Sequence, residues 1–214
     1  MLLFRNFRTA LTILSLVFFA ASCKKTKEYL SDLFQAEIKI KQSFDLDINE
    51  LLPTGFQLPP NYSIDTNYII YSYPYDMRDL DSNIRVSPSN IANFSRNDIK
   101  SAKVDSVRIY LPANTPINAG NIEFIKISAK NNTMTLPRSI VDATSGFTLV
   151  NSTNSAYKYM IDLPVNRNEE FVQYMTPPAT SIDYIFEAKF KDKLKFYVVD
   201  IYKLEFSYKF LFKK

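Results

Sequence analysis

Ile182-Asp183-Tyr184-Ile185-Phe186-Glu187-Ala188-Lys189-Phe190, and after it Leu204-Glu205-Phe206-Ser207-Tyr208-Lys209-Phe210-Leu211-Phe212, decide the fold. In both runs large apolar residues recur at every second position. The positions between them are mostly charged or small. Successive side chains of a strand point to opposite faces, so period two marks strands with one dry and one wet face. Asp192-Lys193 reads as the turn between them. Near residues 198–202 both parities are apolar, which predicts a strand covered on both faces or bulged.

The same pattern opens the domain. From Ala36, the residues Ile38, Ile40, Phe44, Leu46 and Ile48 share one parity, and Glu37, Lys39, Lys41, Asp45 and Asp47 take the other. Pro53, Gly55 and Pro59-Pro60 break the run. Residues 62–73 read as a strand ended by Pro74, and residues 76–99 as a polar connection with one helical turn near 89–93. Residues 104–111 and 122–129 read as a hairpin, with weaker strands at 136–141 and 147–150 and another at 157–163. A short helix is expected over 166–175: Asn166 or Asn168 can cap it, Glu169 and Glu170 suit its first turn, and Pro177-Pro178 stop it. The expected fold class is all-β, an antiparallel β-sandwich, immunoglobulin-like or related, over residues 36–214, as one sandwich or two packed sub-sandwiches.

Ahead of the domain, Arg5 and Arg8 precede an apolar stretch from Ala10 to Phe19, then Ala20-Ala21-Ser22-Cys23 and Lys24-Lys25. Basic residues, an apolar segment and small residues before a cysteine are the parts of a secretory signal. The apolar run is shorter than the ~20 residues of a membrane span. Ala20-Ala21-Ser22-Cys23 resembles the lipobox of bacterial lipoproteins, with Ala20 where leucine is commonest. That resemblance implies a signal over residues 1–22, lipidation of Cys23, and a tether over 23–35. Ordinary cleavage with Cys23 as a free thiol is the competing reading. A buried cysteine is disfavoured by Lys24, Lys25 and Lys27.

Composition narrows the chemistry. The 214 residues carry a formal net charge of +4, and Arg5 and Arg8 leave with the signal. The remaining basic residues are scattered, so nucleic acid is not an expected partner. The chain has no histidine, no tryptophan and three glycines. A Ser-His or Cys-His nucleophile cannot be assembled, and a glycine-rich phosphate loop cannot be built. One cysteine gives no internal disulfide. No cofactor is expected.

The layout is similar to that of small β-sandwich lipoproteins of Bacteroidota. The features that carry this are Ser22-Cys23-Lys24-Lys25, a long first strand, a mid-chain strand opening Val104-Asp105-Ser106-Val107, and a short helix before a C-terminal hairpin. The resemblance implies an envelope location and carries over no catalytic residue. Surface-exported members tend to be acidic after the cysteine. Here Lys24, Lys25 and Lys27 follow it, which implies the periplasmic face of the outer membrane.

Four constellations are candidates for chemistry. Asp79, Asp81 and Asn83, with Asp76 nearby, space oxygens as a calcium loop begins, but Ile84 and Asn90 stand where an EF-hand needs Gly and Glu; a solvated acidic loop is the plainer reading. Tyr68, Tyr71, Tyr73 and Tyr75 could stack on a glycan, or pack as ordinary strand tyrosines. Asp45, Asp47, Asp105, Glu169 and Glu170 are the candidates for a carboxylate-only hydrolase, which needs two acids facing one bond. Asp105-Ser106-Val107 resembles an O-glycosylation signal at Ser106. The expected function is non-enzymatic: a lipid-anchored envelope protein contacting another envelope protein, with the long C-terminal strand as candidate edge, or else a glycan-binding module.

Overall fold

The structure is a computed structural model that describes residues 35–47, 59, 61–88, 93–134, 136–197 and 199–214. Nine strands form two sheets. They are β1 (Gln35–Asp47), β2 (Ser63–Asp76), β3 (Ile99–Leu111), β4 (Ile122–Asn131), β5 (Arg138–Ala143), β6 (Leu149–Asn151), β7 (Tyr159–Leu163), β8 (Ser181–Tyr197) and β9 (Ile201–Lys213). One sheet has the order β1-β9-β3-β7-β6, the other β2-β8-β4-β5. The pairs β1·β9, β2·β8, β3·β7 and β4·β5 are all antiparallel and nest inside one another. A long antiparallel ribbon wrapped into two layers gives this order. This is the sandwich expected from the sequence, in its jelly-roll form rather than its immunoglobulin-like one.

Several local expectations change. Residues 104–111 and 122–129 are not a hairpin, because β3 and β4 lie in different sheets. The connection between them contains Pro112 and Pro116 and is too long for a tight turn; it crosses from one layer to the other. β9 is not an edge but lies between β1 and β3, so Phe206, Ser207 and Tyr208 are all buried. β2 continues through Pro74 to Asp76 because it is an edge strand, where a missing N–H is tolerated. Asp192 and Lys193 do not end β8. They sit in an exposed bulge, where the partner of β2 steps from Lys189, opposite Tyr68, to Leu194, opposite Thr66. The turn comes instead at the doubly apolar stretch, with Asp200 N–H donating to Tyr197 O at 3.0 Å.

The helices also differ from expectation. Residues 76–99 were read as a connection, yet α1 spans Met77–Val86. Asp76 caps it, accepting from Arg78 N–H, and Met77, Leu80 and Ile84 bury one face. The turn expected near 89–93 lies largely outside the described residues. The helix expected over 166–175 is only α2 (Val172–Met175). Tertiary partners claim its first half: Glu170 accepts from Ser101 Oγ and Ala102 N–H, Glu169 pairs with Arg138, and Phe171 N–H donates to Ala102 O at 2.7 Å. Asn131 Nδ2 donates to Gln173 O and holds α2 against β4.

One apolar cluster fills the space between the sheets. At its centre is an aromatic group: Phe44 lies 4.3 Å from Tyr73, 5.1 Å from Tyr184 and 5.6 Å from Phe206 between ring centroids. Two buried hydroxyls cross it. Tyr208 on β9 donates to Tyr184 on β8, which donates to Gln42 Oε1 on β1. The sandwich therefore has two unlike ends. The helical end holds α1, α2 and the start of β1. The loop end, roughly 40 Å away along β1, holds the β3–β4 and β8–β9 connections.

Candidate functional site

The loop end carries the most distinctive surface. Tyr62 (49% exposed), Tyr197 (38%), Val199 (58%) and Ile201 (46%) are large apolar residues left in solvent. Register places two of them side by side. Ser63 pairs with Tyr197, so Tyr62 enters β2 beside the end of β8. Val199 and Ile201 follow on the β8–β9 turn. Scattered apolar surface residues are ordinary; several near one end of a domain make a candidate for an interaction surface.

The turn beneath this patch is held from inside. Asp200 is buried, and its Oδ1 accepts from Asn114 Nδ2 at 2.7 Å, tying the β8–β9 turn to the β3–β4 connection. Burial pushes the Tyr202 phenol well above its usual range; the Thr115 side chain pulls the other way and Asp200 adds to the rise. Between the sheets, at this end, lies a cavity of ≈ 50 Å³ lined by Ile125, Ile161, Phe186 and Ala188 among others. That is far below the ~300 Å³ at which ligand pockets begin. It is a packing gap.

The residues singled out in the sequence fall as follows. Cys23 lies outside the described residues. Asp79, Asp81 and Asn83 are on α1, not on a loop. Neighbours two apart on a helix point away from one another, and Asp81 is taken up by Arg96 Nε at 2.8 Å. The alternate spacing that suited a calcium loop thus does not converge. Among the described residues, no three acidic or cysteine side chains come together as metal ligands.

The four tyrosines do not form one surface. Tyr71 and Tyr75 are buried, and Tyr73 packs on Phe44 inside the sandwich. Burial is the main cause that raises the Tyr75 phenol to about 12, with Asn83 and Gln42 opposing. Only Tyr68 faces out, donating its hydroxyl to Glu187 Oε2 at 2.8 Å. That hydrogen bond is the largest cause raising the Tyr68 phenol. Ser106 is on the solvent side of β3, where the register with β9 steps between Val104 and Ser106.

The hydrolase candidates are spread across the molecule. Asp45 lies 4.0 Å from Lys203, Asp105 3.1 Å from Lys39 and Glu170 3.3 Å from Lys103, and Glu169 pairs with Arg138. Each of these four carboxylates faces a cation rather than a second carboxylate, and Asp47 ends β1 opposite Ile201. On the outer face of the five-stranded sheet, Lys39, Lys209 and Lys103 stand abreast on β1, β9 and β3. Their charges are offset by Asp105, Glu37 and Glu170 respectively.

Sequence reasoning missed the apolar patch. Its signal was the loss of alternation at 198–202, which marks a turn left apolar rather than a covered strand.

No protein-family model matches the chain, and no curated protein matches it. Among solved structures the chain is similar to one from Desmodium yellow mottle tymovirus, at 10% identity and a TM-score of 0.25, covering 84% of this chain and 90% of that one. It is similar to one from turnip yellow mosaic virus at 10% identity and a TM-score of 0.26, covering 84% and 83%. The BFDV capsid protein gives 10% identity and a TM-score of 0.29, covering 82% and 98%. Scores of this size carry no argument about function.

Proposed function

We propose that the protein is a lipid-anchored component of a bacterial cell envelope that works by binding another envelope protein, without catalysis. The anchor is Cys23 in Ala20-Ala21-Ser22-Cys23, and the basic residues after it favour the periplasmic face of the outer membrane over the cell surface. The observation that carries the binding reading is the exposed group Tyr62, Tyr197, Val199 and Ile201 at the loop end. It lies at the far end of β1 from Gln35, where the tether joins, so an anchored domain keeps it accessible. Two aliphatic side chains on a braced turn, with two tyrosines at the neighbouring strand ends, suit a protein partner, whose interfaces are rich in aromatic and apolar contacts.

Two measurements test this. Cys23→Ser should release the protein from the membrane fraction or stall its processing; a processed, membrane-bound variant removes the anchor. A photo-crosslinker at position 199 in living cells should give one discrete product. Val199→Asp combined with Ile201→Asp should abolish that product when the probe is moved to position 62. Recovery of the uncrosslinked chain alone would remove the binding reading.

A further inference from the structure

β1 is an edge of the five-stranded sheet, with β9 as its one strand neighbour among the described residues. Edge strands are usually blunted, and the other long edge is: β2 carries Pro74 and a register break between Thr66 and Tyr68. β1 has neither. It runs thirteen residues in unbroken register with β9 and contains no proline.

Its solvent-facing residues have a particular order. After Gln35 and Glu37 on the same face, the run from Lys39 to Asp47, namely Lys39, Lys41, Ser43, Asp45 and Asp47, reads positive, positive, neutral, negative, negative. Reversed about Ser43, every sign inverts. An antiparallel second copy with Ser43 opposite Ser43 therefore sets Lys39 against Asp47 and Lys41 against Asp45, and symmetry repeats both pairs. On the inner face the same alignment sets Ile40 against Leu46 and Gln42 against Phe44. Neighbouring registers that keep the faces matched do worse. Centring on Gln42 opposes Glu37 to Asp47, centring on Lys41 opposes two lysines, and centring on Phe44 keeps only Lys41 against Asp47. Directly opposed unlike charges stabilise an antiparallel pair, and like charges destabilise it.

Lysines on an edge ordinarily repel a second strand. Here the aspartates in the other half of the same strand turn that repulsion into attraction for one alignment. The in-chain partners, Asp105 for Lys39, Glu205 for Lys41 and Lys203 for Asp45, stand at 3.1, 3.4 and 4.0 Å, with the β1 side chain of each pair exposed and its partner partly buried. Such pairs are weak enough to be shared with a new neighbour.

We propose that β1 is a self-pairing edge: two copies of this chain join antiparallel about Ser43, and the five-stranded sheet becomes continuous across the dimer. The pairing depends neither on the anchor nor on the partner of the loop end.

The test uses the full chain. Opposed residues of an antiparallel pair have Cα atoms about 4.5–5.5 Å apart, inside the range a disulfide spans. Ser43→Cys, mildly oxidised, should give a covalent dimer on a non-reducing gel. The wild type, with Cys23 alone, and Glu37→Cys, on the same face but off the axis, should not. Adding Lys41→Asp to Ser43→Cys should lower the dimer roughly ten-fold, and adding Asp45→Lys as well should restore it, which also shows that the charge variants fold. The proposal is overturned if Ser43→Cys dimerises no more than the wild type. It is equally overturned if Glu37→Cys crosslinks as well, or if Lys41→Asp leaves the dimer unchanged.

Discussion

Tyr208 on β9 donates its hydroxyl hydrogen to the hydroxyl of Tyr184 on β8 at 2.8 Å, bridging the two sheets inside an otherwise apolar core. Tyr184 passes its own hydrogen to Gln42 Oε1 at 2.9 Å and so returns to the first sheet. A polar group buried in such surroundings is costly unless paired. The two bonds hold only when β1, β8 and β9 are in the observed register. They therefore favour one packing of a core whose phenyl groups alone would tolerate several.

Tyr184→Phe should destabilise the protein by about 1–3 kcal/mol, because it strands both the Tyr208 donor and the Gln42 acceptor. Tyr208→Phe should cost less, about 0.5–1.5 kcal/mol, since Tyr184 keeps its bond to Gln42. Denaturant unfolding of the two single variants and the double variant measures the coupling. Additive losses would mean that the two hydroxyls do not interact.

Alkaline pH should weaken the fold. Burial, the largest cause in each case, raises the phenols of Tyr184, Tyr202 and Tyr208, and takes Tyr75 to about 12. Once unfolded, all four titrate near pH 10. Above that pH the unfolded chain gives up protons that the folded one keeps, so stability is full below pH 10 and falls as pH rises past it. Melting temperature should drop between pH 9 and pH 11, and part of the phenolate absorbance should appear only on unfolding. Titration of all 14 tyrosines in one step near pH 10, with the fold intact, would contradict the burial.

Arg96 binds the helical end together. Its Nε donates to Asp81 on α1 at 2.8 Å and its Nη1 to Ala179 O at 2.8 Å, ahead of β8. Arg96→Ala should cost about 1–3 kcal/mol, since an acceptor is left unpaired on each side. Arg96→Lys should recover only part of the loss, because an ammonium cannot present the guanidinium fork. The midpoint of urea unfolding reports both.

The small gap at the loop end should accept extra carbon. Ala188 is buried beside it, so Ala188→Val should raise stability by about 0.5–1 kcal/mol. Phe186→Ala, on the same wall, should lower it by about 3–5 kcal/mol. Differential scanning calorimetry separates the two. A melting temperature lowered by Ala188→Val would show that the space is already filled.

What could be read from the sequence was local. Period two in β1, β8 and β9 is visible because each strand has one dry face, and the strands followed from it. The sheet each strand joins is a long-range property. Nothing within residues 104–129 says that β3 and β4 separate into two layers, and nothing within 201–213 says that β9 is covered on both edges. The parity of Tyr71, Tyr73 and Tyr75 did separate them from Tyr68, so their inward face was legible. The spacing of Met77, Leu80 and Ile84 behind the Asp76 cap was legible too, but lay within a polar stretch whose charges suggested a loop. The shortening of the 166–175 helix was not: Glu169 and Glu170 suit a helix start in isolation, and only β3 and β5 supply the partners that draw them away.

The register of Gln35 with Lys213 sets an order in time. Along its whole length β1 has one strand partner among the described residues, and that partner is β9, far along the chain. A pairing between residues so far apart forms late, because the chain between them must first be brought together. Loss of Phe210 and Phe212 would leave Ile38 and Ala36 without their strand partners.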